Sequence, residues 1–271
     1  MAKVKHENLA LTSAFNVASL ATYNFYEGYD GHFLYEYEDE IIETLIKPQK
    51  TTALHYFLAC FVNVAEEVHD MLQNIDEIKY VYDYIKRVLE EVNLDPKILE
   101  PDFENCADEY HEDCECKLIL DKWVEYVKEN NDLIHEALVH AAFQIVFLDR
   151  KFLHDFNEYI GEWIEYDYDS LKEKCGEHLL GEKGFKRVRF PQWLKDAVYH
   201  RDKGCCVICR TDLSKLVNIN GTHHIDHIVP LRMFGSNDSS NFQLLCETCN
   251  TSKGNRTSET NSINVPFWNM D

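Results

Sequence analysis

Apolar positions in the first 165 residues recur every three to four residues. Leu54, Phe57, Leu58, Phe61, Val62, Ala65, Val68 and Leu72 fall on one helix face. Ile78, Val81, Tyr82, Ile85, Val88, Leu89 and Val92 repeat the pattern. Residues 93–101, with two prolines, interrupt it. A second helical region is expected over 118–127 and, after Asn130-Asn131-Asp132, over 133–164. Gly28, Asp30 and Gly31 mark an early turn, and no repeat of solenoid length is present. Beyond Gly176, Gly181 and Gly184 the character changes. Residues 191–202 read as a short helix with proline at its start. Runs at 216–219 and 222–229, separated by Asn220-Gly221, read as strands, and a loop over 235–240 leads to 241–245 and the second cysteine pair. Residues 246–255 read as a last helix with Gly254 near its end, and the tail from 256 onward is assigned no element.

Composition supports a folded, mainly helical protein. Of 271 residues, 45% are hydrophobic and 28% charged, and glycine and proline are scarce (10 and 6), which disfavours linker-like and turn-dense all-β chains. No apolar run approaches the ~20 residues that span a bilayer, so no membrane association is expected. Lys3 and Lys5 before the moderately apolar stretch 9–21 loosely imitate a signal peptide. Asn8, Thr12, Ser13 and Asn16 interrupt that stretch, which reads as a first helix of a cytoplasmic protein.

Charge divides the chain more sharply than hydropathy. The formal net charge is −21, yet residues 183–271 carry 12 Lys and Arg against 8 Asp and Glu, leaving a net −25 on residues 1–182. Such asymmetry points to two segments with different partners. The expected domains are an acidic helical regulatory or partner-binding domain, 1–182, and a second domain, 183–271. The acidic part is either a set of solvated helix faces or a surface that repels nucleic acid or docks on a basic protein. The repelling reading implies that residues 183–271 alone would bind a polyanion better than the whole chain.

Cys206-Val-Ile-Cys209 and Cys246-Glu-Thr-Cys249 are two matched pairs. Two residues between thiolates let both sulfurs reach one tetrahedral Zn²⁺. A closed four-thiolate site is structural, so this zinc folds the domain and performs no catalysis. Between the pairs lies His223-His224-Ile225-Asp226-His227-Ile228-Val229-Pro230, a polar cluster that core packing does not explain. Asn241 follows in Asn-Phe-Gln-Leu-Leu, and Asn250, Lys253 and Arg256 follow the last cysteine. A histidine with near-neutral pKa is a suitable base for water, and Asp and Asn oxygens suit Mg²⁺ or Mn²⁺.

With these elements in order, and with the lead-in Trp193-Leu194 and His200-Arg201-Asp202, residues 190–256 resemble the HNH endonuclease family in its four-cysteine, zinc-containing form. The resemblance implies a small C-terminal ββα-metal domain, so the fold class is mainly α with that domain attached. It implies metal-dependent hydrolysis of DNA phosphodiesters. His227 would be the general base, Asn241 the residue fixing the loop that orients it, and Asp226 and Asn250 the ligands of the catalytic divalent ion. With Asn at 250 the chain is an HNN variant. Lys253, Arg256 and His224 are candidate phosphate contacts; favourable placement near a helix C-terminus is the alternative reading of the first two. A role as phage-defence effector is an expectation from the family. The alternative function is a zinc-containing nucleic-acid-binding or partner-binding protein without catalysis.

One weaker signal stands apart. Cys106, His111, Cys114 and Cys116 form a compact set among acidic residues. Their spacing matches no familiar metal motif, so a second metal site and a surface loop of free thiols are both open readings.

Overall fold

Asn63 explains why the first helical run is two helices. Its Oδ1 accepts the Glu66 N–H at 3.2 Å while its Nδ2 donates to Glu66 Oε2 at 2.6 Å, so the chain caps and restarts there. α4 (Ala53–Ala59) therefore ends before α5 (Val64–Asn74), although apolar spacing runs through both. The same device divides the later run. Asp149 accepts the Phe152 N–H at 3.1 Å, separating α8 (Asn131–Val146) from α9 (Arg150–Tyr166).

The computed structural model describes residues 10–74, 77–108, 111, 113–181, 184–214, 223–258 and 260. The remaining helices are α1 (Leu11–Tyr26), α2 (His32–Glu36), α3 (Glu38–Ile46), α6 (Ile78–Glu91), α7 (Glu115–Glu129), α10 (Tyr168–Cys175), α11 (Gln192–Arg201) and α12 (Glu247–Lys253). β1 (His223–His227) and β2 (Phe242–Cys246) form an antiparallel pair. The architecture is thus mainly α with a small C-terminal ββα element. The expected strand at 216–219, its Asn220-Gly221 turn and most of the tail lie outside the described residues. No described helix is long and apolar enough to cross a membrane.

The chain forms two compact units, Met1–Gly28 with Leu58–Ile145, and Tyr29–Phe57 with Val146–Asp271. In the first, α6 buries Val81, Tyr82, Ile85, Val88 and Leu89, and α7 buries Leu120, Trp123, Val124 and Val127. Tyr82 and Trp123 meet edge to face at 5.1 Å.

In the second unit, Phe33, Phe57, Phe152 and Phe156 form an aromatic core, with Phe33 and Phe57 5.3 Å apart. Beside it, Leu194 and Val198 of α11 pack with Cys206, Val207, Leu213, Phe242, Leu244 and Leu245 under the hairpin. This explains the Trp193-Leu194 lead-in: it is the apolar face that carries β2. Asp202 explains the next part of the lead-in. Its carboxylate is buried, receives Arg201 through Nε (2.9 Å) and Nη2 (3.0 Å), and accepts the Leu244 N–H at 2.9 Å.

The charge boundary at 182/183 does not coincide with this packing. Asp238 is fully buried and accepts the Ala53 N–H at 2.8 Å; Ser239 Oγ donates to Gln49 O at 2.6 Å; the Asn237 N–H donates to Leu45 O at 3.0 Å. Arg150 Nη1 lies 3.7 Å from Asp202 Oδ1 inside the core. A fragment 183–271 would leave these buried polar groups unpaired, each at a cost of about 1–3 kcal/mol. Segments 29–57 and 146–182, assigned by charge to the acidic domain, are part of the unit that holds the hairpin.

Candidate nuclease site and zinc cluster

The hairpin register is His223↔Cys246, Ile225↔Leu244 and His227↔Phe242, and α12 begins directly after β2. Cys246 therefore ends a strand and caps a helix at once: its Sγ accepts the Cys249 N–H at 3.4 Å. The other pair sits in a tight turn, where the Arg210 N–H donates to Cys206 O at 2.9 Å and the Val207 N–H to Leu244 O at 3.0 Å. The ligand atoms of Cys206, Cys209, Cys246 and Cys249 all lie within 4.8 Å of one another, and Cys209 Sγ is 3.7 Å from Cys246 Sγ. Four thiolates at ~2.3 Å from one tetrahedral zinc sit ~3.8 Å apart, so the cluster fits a structural zinc. Burial raises the Cys209 thiol, but hydrogen bonding from Thr211 and from Cys206 and Cys249 outweighs it and brings the pKa to about 6. Burial and its three neighbours push the Cys249 thiol up. A bound cation resolves this conflict by favouring all four thiolates.

β1 ends at His227, and the chain bends at Ile228 and Val229. Asp226 and His227, which an ideal strand would send to opposite faces, thereby line one cleft. Phe185, Arg187, Arg232, Gly254 and Asn255 also line it. Asn241 holds the bend. Its side chain is fully buried, its Oδ1 accepts the Val229 N–H at 2.8 Å, and its Nδ2 donates to Val229 O at 3.0 Å and Ser236 O at 2.9 Å. One amide thus closes the loop from Val229 to Ser236.

His227 is 4% exposed and packs between Phe190 and Phe242, with ring centres at 5.6 and 4.7 Å. Burial lowers its pKa to about 4, against the opposing pull of Asn237 and Asp226, and keeps the ring neutral at pH 7. Its tautomer follows from the hydrogen-bond network. Asn237 Nδ2 donates to Ile46 O at 3.1 Å and Lys186 O at 2.9 Å, so its Oδ1 faces His227 Nε2 at 3.3 Å and accepts that N–H. The lone pair is then on Nδ1, the state of a base.

Lys253 lies elsewhere than the sequence suggested. Its side chain is 1% exposed, and its Nζ donates to Asp226 Oδ2 at 2.9 Å and to His227 O at 2.8 Å. It binds the two site residues together and is not presented to a phosphate. Arg256 lines a neighbouring depression with Arg232 and Asn255. His224 is half-buried with its Nε2 enclosed, and Asn250 is half-buried on α12; neither lines the Asp226–His227 cleft. Arg187, Arg232, Asn237 and Asn255 were missed by the sequence reading. Lone arginines and asparagines outside the motif carry no spacing signal; Arg187, Arg232 and Asn255 line the cleft, and Asn237 meets His227 at its Nε2.

Residues 206–256 match the HNH endonuclease family. The match covers the cysteine cluster, the hairpin, the loop and α12, and supports a nuclease-type, nucleic-acid-related function for the HNH region. No curated protein and no solved structure matches the chain.

Asn237 offers a direct test of the tautomer. Asn237→Ala removes the acceptor that holds the proton on Nε2, and on a nuclease reading of the cleft, DNA cleavage by the variant is expected to fall about 10–100-fold, the usual effect of losing an orienting partner. Steady-state rates, compared at matched zinc content, check this; an unchanged rate would mean that His227 is oriented by something else.

Proposed function

We propose that the protein is a metal-dependent endonuclease that hydrolyses DNA phosphodiester bonds at the Asp226–His227 cleft. The observation that carries this reading is that His227, its Nε2 paired with Asn237 Oδ1 and its ring kept neutral by burial, lines a cleft beside a carboxylate and two arginines. Nδ1 takes a proton from water as its oxygen attacks phosphorus; the ester bond to the leaving oxygen breaks, and that oxygen takes up a proton. Arg187 and Arg232 in the cleft, with Arg256 beside it, receive the phosphate oxygens through a sequence-independent contact.

Asp226 would hold the divalent ion; Asn250, the second oxygen donor expected from the family, does not line the cleft in this structure and would have to turn toward Asp226 to join it. The carboxylate lines the cleft; its Oδ2 is taken by the Lys253 ammonium at 2.9 Å, which leaves Oδ1 for an ion. Mg²⁺ is commonly held by one or two carboxylates, with water and substrate oxygens completing its shell. Such an ion supplies positive charge to the scissile phosphate and the leaving oxygen. A contribution of the acidic helices to regulation or to binding a protein partner, and a place in defence against phage, belong to the same proposal.

The test is plasmid cleavage by the full chain. Conversion to nicked or linear DNA is expected with Mg²⁺ or Mn²⁺, with loss on brief chelation and recovery when Mg²⁺ is restored, at unchanged zinc content. Retarded but uncut DNA under every metal condition would establish the alternative, a zinc-containing binding protein.

A further inference from the structure

Between α6 and α7 the described residues of segment 92–114 form no helix or strand. Segments of this length inside a compact unit need something to hold them. Phe103 packs on Tyr82 at 5.7 Å, and Leu99 O accepts Trp123 Nε1–H at 3.0 Å, but among its described residues only Pro101 is buried.

At its end, Cys106, His111, Cys114 and Cys116 place their ligand atoms within 4.8 Å of one another. Cys114 precedes the first turn of α7 and Cys116 lies within it, 4% exposed, while Cys106 and His111 come from the loop. His111 adopts φ +54°, and its ring stands edge-on to Phe103 at 5.2 Å, which turns Nδ1 to within 3.5 Å of Cys114 Sγ. A sulfur at ~2.3 Å and an imidazole nitrogen at ~2.0–2.1 Å on one tetrahedral ion lie about 3.5 Å apart. In an open thiol loop the three cysteines and the histidine would be free to diverge; here three thiols and one imidazole converge on one point, and none of the cysteines is bridged.

We propose that Cys106, His111, Cys114 and Cys116 bind a second, structural zinc ion, which staples segment 92–114 to the start of α7. Three thiolates and an imidazole are a donor set for Zn²⁺ and not for Mg²⁺ or Ca²⁺. With all four positions filled by protein the site is closed, so its role is to hold the fold of the first unit and not to catalyse.

Metal analysis of the full chain, purified without chelator, is expected to give about two zinc ions per chain. Cys114→Ser with Cys116→Ser should reduce this to about one, as should Cys246→Ser with Cys249→Ser, whereas His111→Cys, which keeps four donors, should retain both. A variant that fails to fold leaves the wild-type protein to decide. Maleimide labelling followed by peptide mass mapping should find Cys106, Cys114 and Cys116 protected until chelator is added, while exposed Cys60 reacts at once. A single zinc per wild-type chain, labelling of the three thiols as fast as Cys60, or a disulfide among them would overturn the proposal.

Discussion

His227→Gln is expected to lower DNA cleavage by about 10²–10⁴-fold, the range for loss of a positioned general base. This corresponds to roughly 3–5 kcal/mol of transition-state stabilisation at 1.36 kcal/mol per tenfold. Glutamine is the better probe than alanine, because His227 packs between Phe190 and Phe242 and truncation would leave a cavity that destabilises the hairpin by itself. Zinc content and melting temperature of His227→Gln should stay near wild type, so that a lost rate reports on chemistry. Asp226→Asn should match the loss in rate, with the added signature that raising Mg²⁺ restores part of it. Wild-type cleavage by His227→Gln would assign the base elsewhere.

Cys246→Ser is expected to unfold the hairpin region. A structural zinc contributes ~10 kcal/mol or more in small zinc domains, comparable to the ~5–15 kcal/mol that holds a whole domain together. Cys246 also caps α12 through its sulfur and ends β2, so its loss releases the helix that places Lys253 on Asp226. Circular dichroism melts and zinc analysis of the variant check this: about one zinc fewer than wild type and a separate, low-temperature transition are the expected outcomes. Equal zinc content in variant and wild type would place the metal on other ligands.

The two losses separate distinct parts of one mechanism. In the first, on the proposed function, the cleft keeps its shape and loses its proton acceptor. In the second the chemistry is intact in sequence and has no scaffold. The geometry connects them through Lys253, whose ammonium bridges Asp226 and the His227 carbonyl from the far end of the zinc-anchored helix.

Much of this protein is legible in one dimension. Period-3.6 apolar spacing gives α6 and α7 nearly to their ends, because an amphipathic face is a local property of the chain. The two Cys-x-x-Cys pairs and the Asp226-His227, Asn241 and Asn250 set mark the HNH region for a related reason: metal and turn geometry demand particular residues at particular spacings. Helix ends were less legible, since Asn63 and Asp149 stop a pattern whose apolar spacing continues past them, and a single capping bond outweighs it.

What only the tertiary structure decided depends on contacts between residues far apart in sequence. Net charge placed a boundary at 182, but hydrogen bonds from Ala53 N–H to Asp238 and from Asn237 to Leu45 and Ile46 put residues 29–57 in the unit of the hairpin. Lys253 reads as a phosphate contact from its position in the motif, and becomes the buried partner of Asp226 only when α12 folds against β1. The tautomer of His227 rests on Asn237, ten residues away and bonded in turn to Ile46 and Lys186. The sulfurs of Cys106, Cys114 and Cys116 form a single cluster with His111 through the path of a loop without periodicity. Spacing along a chain encodes local geometry; which polar groups meet, and which are left to bind a metal or a proton, is determined by how the elements close on one another.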